Sequence, residues 1–326
     1  MLTYKDAGVD RQKLARFKRD VFYHFLREPG GFGGEIKLEL GADRVLFATI
    51  DGIGTKVKLL AEKGLYTEAG YDLVNHIAGD LSACGANPLY FLDYISFTQL
   101  DDEVLEQVGL GVLGACFEAG FELIAGETSQ MPGYYPPGEF ELVGVGIGIA
   151  RKDRGEDIKP GDAVVALSAP GLNTNGFSLA RKALFDVGKL SLDSPLEGAP
   201  LWKHLLRTHK LYSHIINLIP DSFNVRGRAH ITGGGIAVAL SRILPDGLGA
   251  IIHKKNLPVI PIFKLIQEVG GVDDDEMFAT FNMGAGFVLV LPPDKRDELL
   301  NWLESIGEDG IALGEITDEG SIIFEE

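Results

Sequence analysis

An acid, two glycines, a hydroxyl and a lysine follow one another at Asp51-Gly52-Ile53-Gly54-Thr55-Lys56, at the end of the apolar stretch Val45 to Ile50. Such a strand end can hold a metal ion through Asp51, lay backbone N–H groups against phosphate at Gly52 and Gly54, and supply a cation at Lys56. It lacks the spacing of a Walker A loop. An ordinary strand-to-helix turn accounts for the two glycines, but not for Asp51, Thr55 and Lys56 together.

Two further acids extend the pattern. Asp80 interrupts the apolar run IAGDLSACGA, beside a stripe marked by Ile77 and Leu81. An unpaired carboxylate buried there costs several kcal/mol or is forced neutral, and a metal ion removes that penalty. A lone Asp is more often solvated or bonded to a backbone N–H. Glu127, in Ala125-Gly126-Glu127-Thr128, again ends a short apolar strand. Acids recurring at Asp51, Asp80 and Glu127 suggest carboxylates converging on one site, as magnesium and triphosphate chemistry requires.

The second half of the chain offers amides, hydroxyls and glycines ahead of two helices, at Asn173-Thr174-Asn175-Gly176 and at His230-Ile231-Thr232-Gly233-Gly234-Gly235. Backbone N–H groups at a helix start suit an anion such as a sugar phosphate. Capping alone explains Thr174 or Thr232, but three successive glycines exceed what a cap needs. Of the seven histidines only His230 has such a setting; His24, His76, His204, His209, His214 and His253 read as surface or packing residues. The run Asp273 to Glu276 reads as a solvated helix start.

Helices and strands must alternate to position these groups. Leu14, Phe17, Val21 and Phe25 mark a helix over Asp10 to Phe25, ahead of the loop Gly30-Gly31-Phe32-Gly33-Gly34. Strands are predicted at Arg44 to Asp51, Leu89 to Ser96, Phe121 to Ala125 and Phe140 to Ile149, with helices over Gly70 to Cys84 and Glu103 to Phe117. Asn87-Pro88 reads as the stop of the first of these helices. In Phe140 to Ile149, Val143, Val145, Ile147 and Ile149 alternate with Gly144, Gly146 and Gly148, giving an apolar face and a bare one. The bare face calls for a close neighbour: another strand layer, a second subunit, or tight internal packing. The charged stretch Arg151 to Gly161 divides the chain into domains at 1–158 and 159–326. Beyond it, strands at Ala163 to Ser168, Ala250 to His253, Gly286 to Leu291, Ala312 to Ile316 and Ile322 to Phe324 alternate with helices at Gly176 to Phe185, His209 to Leu218, Ile236 to Ile243 and Lys295 to Ile306. The fold class is mixed α/β (α+β) in two domains.

Composition sets the outer limits. The 326 residues are 45% hydrophobic and 24% charged, with a formal net charge of -17, which argues against nucleic acid as a partner. No run is long and apolar enough for a membrane span, and the charged start lacks a signal-peptide core, so the expectation is a soluble protein of the cytoplasm. Cys84 and Cys116 lack metal spacing and read as buried thiols.

Taken in order, Tyr4 to Asp10 (YKDAGVD), the GGFGG loop, DGIGTK, NPLYFLDY from Asn87, GETSQMPG from Gly126, NTNGFSL from Asn173, HITGGG from His230 and EMFATFNMGAG from Glu276 resemble the AIR synthetases, the phosphoribosylformylglycinamidine cyclo-ligases, from end to end. The resemblance implies ATP-dependent ring closure of formylglycinamidine ribonucleotide to 5-aminoimidazole ribonucleotide. It implies ATP and magnesium, with potassium as a candidate monovalent ion, and a homodimer whose N-terminal sheets share a barrel beside the ATP site. The C-terminal sheet is then flanked by helices and serves the substrate.

By that resemblance Asp51, Asp80 and Glu127 serve magnesium and nucleotide, and Lys18 and Lys56 neutralise phosphate. Thr55 belongs to the same nucleotide loop. Gly30, Gly31, Gly33 and Gly34 close over the phosphates. Asn173, Thr174, Asn175 and Gly176, with Thr232, Gly233, Gly234 and Gly235, face substrate; His230, Lys18 and Asp51 are the catalytic candidates. Two departures stand out. Arg27-Glu28-Pro29 leads straight into Gly30, where the family has a longer glycine-rich segment. Asn173 replaces the His of a PHSNG or LHSNG loop, and an amide cannot shuttle a proton near neutral pH, which leaves His230 for that work. The competing readings are another ATP-using relative, such as a thiamine-monophosphate kinase, and a silent nucleotide-binding protein.

Overall fold

The computed structural model describes residues 43–99, 101–151 and 157–326. The expected helix Asp10 to Phe25 and the loop Gly30 to Gly34 lie outside the described residues. The chain divides into two compact units, Met1–Leu81 with Ala86–Lys152, and Ser82–Gly85 with Asp153–Glu326.

In the first unit β1 (Arg44–Gly52), α1 (Lys56–Lys63), α2 (Tyr66–Ala83), β2 (Asn87–Phe97), α3 (Asp102–Ala119), β3 (Glu122–Gln130) and β4 (Phe140–Arg151) follow in chain order. The strands form one sheet in the order β1-β4-β2-β3, and only the β2–β3 pair is parallel. The glycines of β4 decide what lies on it. A Cβ added at Gly146 would stand 2.3 Å from Cγ2 of Ile77, and one at Gly144 would stand 2.5 Å from the ring of Phe91 and 3.2 Å from Leu73. The helix α2 therefore nests directly on the bare face, with Leu73, Ile77 and Leu81 wholly buried. Each such side chain contributes about 1.5–3 kcal/mol. Of the neighbours the sequence left open, tight internal packing is the one realised. The opposite face keeps Val143, Val145, Ile147 and Ile149 half-buried, and Ile50 on β1 is 67% exposed.

Local chemistry sets the helix ends. Asp101 caps α3 by accepting the N–H groups of Glu103 and Val104, and Gly120 closes it at φ 83. Asn87-Pro88 does not stop α2 as expected. Gly85, at φ 65, turns the chain while the Ala86 N–H bonds to the Leu81 carbonyl, and Asn87 already pairs with Ile149. The third strand is longer than its apolar part predicts: Gly126, Glu127 and Thr128 pair with Asp93, Tyr94 and Ile95, so they lie within β3 and not after it.

The second unit is built on β5 (Ala163–Ser168), β8 (Gly227–His230), β9 (Gly249–His253), β10 (Ala285–Leu291), β11 (Gly310–Thr317) and β12 (Ile322–Glu325), with the small hairpin β6 (Pro195–Leu196) and β7 (Ala199–Pro200) apart from them. Its helices are α4 (Phe177–Arg181), which runs into a π turn at Lys182–Val187, α5 (Leu201–Leu205), α6 (Tyr212–Leu218), α7 (Gly235–Ser241), α8 (Pro261–Gly270), α9 (Asp274–Thr280) and α10 (Arg296–Ser305). The main sheet runs β12-β9-β11-β5-β10-β8. Val164, Ala166, Val288 and Val290 meet Ile236 and Leu240 of α7 on one face. Val165, Leu167, Phe287 and Leu289 meet Ile215 of α6 and Leu299 and Leu303 of α10 on the other. Burial on both faces is why AVVALS and AGFVLVL show unbroken apolar runs without a period of two. The run from Asp273 is a helix start, with the Asp273 carboxylate accepting the Glu276 N–H at 2.9 Å.

Gly146→Val places a branched side chain where Ile77 already sits. We expect a loss of about 1–3 kcal/mol in unfolding free energy, read as a lower urea midpoint, whereas a midpoint equal to that of the native protein would show that α2 does not rest on β4.

Candidate functional site

In the first unit the site begins where β1 ends. The Asp51 Oδ1 accepts the Gly52 N–H at 2.7 Å, and Gly54 turns at φ 56 so that α1 can start at Lys56. Beside this turn α2 presents Asp72, His76 and Asp80, four residues apart and adjacent to the buried stripe Leu73, Ile77 and Leu81. The His76 Nε2 lies 3.4 Å from Asp51 Oδ2 and 3.8 Å from Asp80 Oδ2. Thr49 donates to Asp80 Oδ2 at 3.4 Å. His76 is buried, while the side chains of Asp51 and Asp80 are 51% and 26% exposed. Burial works against a charged imidazole, but the hydrogen bond to Asp51 and the charges of Asp80, Asp51 and Asp72 outweigh it and hold His76 above its ordinary value.

Lys56, expected to neutralise phosphate, is turned inward. Its Nζ lies 2.7 Å from Asp72 Oδ2 and 2.8 Å from Oδ1, and both side chains are 0% exposed. Burial lowers its pKa, against the opposing pull of Asp72. Lys56 therefore fixes the start of α1 against α2 beneath the acids. Thr55 precedes the helix without capping it through its hydroxyl.

Glu127 does not join Asp51 and Asp80. The register aligns Asp51, Gly144, Asp93 and Gly126 in one row, and Gly52, Val143, Tyr94 and Glu127 in the next. Side chains alternate between faces, so Asp51 faces α2 while Glu127 is exposed on the open side, three strand spacings or roughly 14 Å across the sheet. The buried Asp93 shares the row of Asp51, and after burial itself it is what pushes the Cys116 thiol well up, leaving that cysteine inert.

In the second unit the two predicted loops come together: a Cβ added at Gly233 would stand 3.3 Å from Asn175 Oδ1. Gly234, at φ 105, and Gly235, at φ 66, start α7, and a Cβ at Gly235 would fall 2.0 Å from the Phe278 carbonyl. Gly176, at φ 81, starts α4 with its α-carbon against the Phe281 ring. Asn173 adopts φ 57, is buried and donates to the Tyr212 hydroxyl at 3.3 Å; Thr174 is buried beside it and Thr232 is half-buried. Burial pushes the Tyr212 phenol far above its usual range. His230, the last residue of β8, meets His209 through their Nε2 atoms at 3.2 Å.

Sequence reasoning passed over Asp72, His76, His209 and Tyr212. The first two had a signal, the step of four that leads to Asp80; His209 had none, because only the packing of α6 against β10 brings it to His230. Lys18, Gly30, Gly31, Gly33 and Gly34 lie outside the described residues.

Residues 34–150 match the sequence profile "AIR synthase related protein, N-terminal domain", and residues 159–325 match its C-terminal counterpart. A glycine-lined sheet carrying strand-end acids, followed by a sheet whose loops hold amides and glycines, is thus the two-domain AIR synthase related class. Phosphoribosylformylglycinamidine cyclo-ligases resemble the chain over nearly its whole length: that of Geobacillus kaustophilus is 39% identical, covering 98% of this chain and 97% of the relative, and that of Geobacter sulfurreducens is 40% identical, covering 96% and 94%. The chain belongs to the phosphoribosylformylglycinamidine cyclo-ligase family.

Solved structures share the fold at lower identity. The thiamine-monophosphate kinase of Stenotrophomonas maltophilia superposes with a TM-score of 0.67 at 18% identity, covering 96% of this chain and 95% of that one. Hydrogenase maturation protein HypE of E. coli gives 0.70 at 18%, covering 97% and 94%, and a HypE solved in complex with ATP gives 0.68 at 19%, covering 98% and 93%.

Breaking the buried Lys56–Asp72 pair from one side leaves an uncompensated charge. Asp72→Asn is expected to lose about 3–5 kcal/mol of stability, and Lys56→Met combined with Asp72→Leu to regain most of it in urea titrations. Equal stability of Asp72→Asn and the native protein would mean that the pair is solvated.

Proposed function

We propose that this chain closes the imidazole ring of 5-aminoimidazole ribonucleotide from formylglycinamidine ribonucleotide, consuming ATP and releasing ADP and phosphate (EC 6.3.3.1), as a step of purine synthesis in the cytoplasm. The observation that carries this reading is the pairing of Asp51 with Asp80 about His76, in a chain similar over 96–98% of its length to enzymes named for that reaction. No helix among the described residues is long and apolar enough to cross a membrane, in keeping with soluble substrates.

The donor set fits magnesium. Asp51 and Asp80 offer partly exposed carboxylate oxygens, the hard ligands that this ion prefers, and their charge already draws the His76 imidazole to them. Magnesium held there would neutralise triphosphate charge and orient the transferred phosphoryl group. The turn at Gly54 has open space where a Cβ would stand, so phosphate can approach the backbone there, while the Gly52 N–H is held by Asp51 Oδ1. Lys56 acts beneath them as the anchor of α1. Lys18 and the loop Gly30, Gly31, Gly33 and Gly34 keep the phosphate-facing role implied by the family, and potassium remains the candidate monovalent ion.

Ring closure asks two things of the second unit. Asn173 to Gly176 and Thr232 to Gly235 grip the ribonucleotide, holding the amidine nitrogen against the formyl carbon once its oxygen has been phosphorylated. His230 takes the proton that the attacking nitrogen loses as phosphate departs. The open face of the first sheet, with Ile50 exposed beside Val143, Val145, Ile147 and Ile149, supports a homodimer through that sheet. Glu127 lies on the same face, so its part in nucleotide binding would be played toward a partner subunit.

The direct test measures ADP and imidazole formation by the purified protein with magnesium and ATP, with and without formylglycinamidine ribonucleotide. Matched formation of the two products is the expected result; ADP without imidazole would favour a kinase like the thiamine-monophosphate relatives, and neither product a silent nucleotide-binding protein. Asp51→Asn should lower turnover by roughly 10²–10³-fold, the loss seen when one group stabilising transition-state charge is removed. Its far-UV circular dichroism should match that of the native protein, and a folded, fully active variant would remove Asp51 from the site.

A further inference from the structure

The second unit brings two imidazoles, His209 and His230, together beside the loop that carries Asn173. Asn173 is committed to a hydrogen bond with the Tyr212 hydroxyl. The Tyr212 ring in turn lies 5.9 Å from the His209 ring and 5.8 Å from that of His230. The ring planes of His209 and His230 are nearly parallel, at 17°, with centroids 5.1 Å apart, a longer separation than the 3.2 Å between their Nε2 atoms. They therefore meet at their nitrogen edges, not face on face. Both are almost sealed from water, at 2% and 4% exposure, and Phe287 flanks His230 at 6.1 Å.

Such a contact constrains both rings. One Nε2 must carry hydrogen and the other must offer its lone pair, because two N–H groups or two lone pairs would repel at this distance. Removing one ring withdraws that bond from the other, whose plane it helps to fix. Nothing else in the sequence marks His209; it enters the site from the segment that leads into α6.

We propose that His209 is the positioning residue for His230 in this chain, holding the imidazole plane through the Nε2–Nε2 hydrogen bond. The inference rests on the ring-closing role of His230 given above. It assigns His209 no contact with substrate. The anchor on Tyr212 that Asn173 provides keeps the aromatic wall against which both rings lie.

The test uses the full chain with three substitutions, His209→Leu, His209→Gln and His209→Asn. A Gln amide reaches the position of Nε2, whereas Leu offers no polar atom and Asn falls short. We expect kcat for imidazole formation to fall roughly 10–100-fold in the Leu and Asn variants, the range for losing a partner that orients an active group, with KM for both substrates nearly unchanged. The Gln variant should recover most of that loss. In long-range ¹H–¹⁵N spectra the ring-nitrogen shifts of His230 should persist in the Gln variant and move in the other two. Native kcat in the Leu variant, or a Gln variant as impaired as Leu, would overturn the positioning role, the latter by making His209 a proton carrier. Should Leu fail to fold, the Gln and Asn pair decides. If the native chain forms no imidazole, the function proposed above fails, while unchanged or altered His230 shifts still decide whether His209 holds that ring.

Discussion

The close approach of α2 to β4 is the constraint on which the first unit depends. Only three glycines in a row of alternating valines and isoleucines let a helix backbone descend that far, since at Gly146 even one methyl group would meet Ile77 at 2.3 Å. The descent fixes the rotation of α2 about its own axis. With Leu73, Ile77 and Leu81 forced onto the glycines, the neighbouring stripe Asp72, His76 and Asp80 must emerge at the sheet edge where β1 ends. Apolar packing thus delivers the charged groups, and the site requires no dedicated loop to bring Asp80 to Asp51.

Electrostatics then separates these charges into two kinds. Lys56 and Asp72 neutralise each other out of water, so neither is available to a ligand, and their value lies in locking α1 to α2. Asp51 and Asp80 remain partly in water, and with Asp72 they hold the pKa of the buried His76 above its ordinary value against the opposing effect of burial. In a chain of net charge -17 that leaves the pair attractive to a divalent cation, and a polyanionic nucleotide needs such a cation to approach at all.

What was legible in the sequence follows from which information is local. Periodicity gave β1, β4, β5 and β10 nearly to the residue, because each carries its burial pattern within its own span. It missed the four-residue β8 and the charged α1, whose structure is decided by neighbours: β10 pairs with β8, and Asp72 holds the first residue of α1. The expected convergence of Glu127 with Asp51 failed for a related reason. Both are strand-end acids in the sequence, but which face each takes depends on the register across β4 and β2, and one residue of offset reverses it. Asp80 could be placed beside the buried stripe by counting, and the same counting reaches His76 and Asp72. His209 could not be found that way, since its partner lies on another element.

The second unit shows how the loops proposed to grip substrate can be rigid. Asn173 at φ 57, Met283 at φ 49 and Gly284 at φ 92 are held in a region that most residues avoid, and each is tied down nearby. The Asn282 side chain bonds to the Gly171 carbonyl and accepts the Gly284 N–H, while the Gly284 carbonyl accepts from Ala169. At the next turn of the sheet Gly286 leaves room for the Tyr212 hydroxyl, which a Cβ would displace from 1.7 Å away. The motif EMFATFNMGAG therefore works as a brace, running from α9 beneath Gly235 and Gly176 to the start of β10. Loops braced in this way present their amides and N–H groups already oriented, so that the anion binding proposed for them would lose little ordering entropy. That pre-organisation explains why glycines, which would loosen an unsupported loop, can line this one.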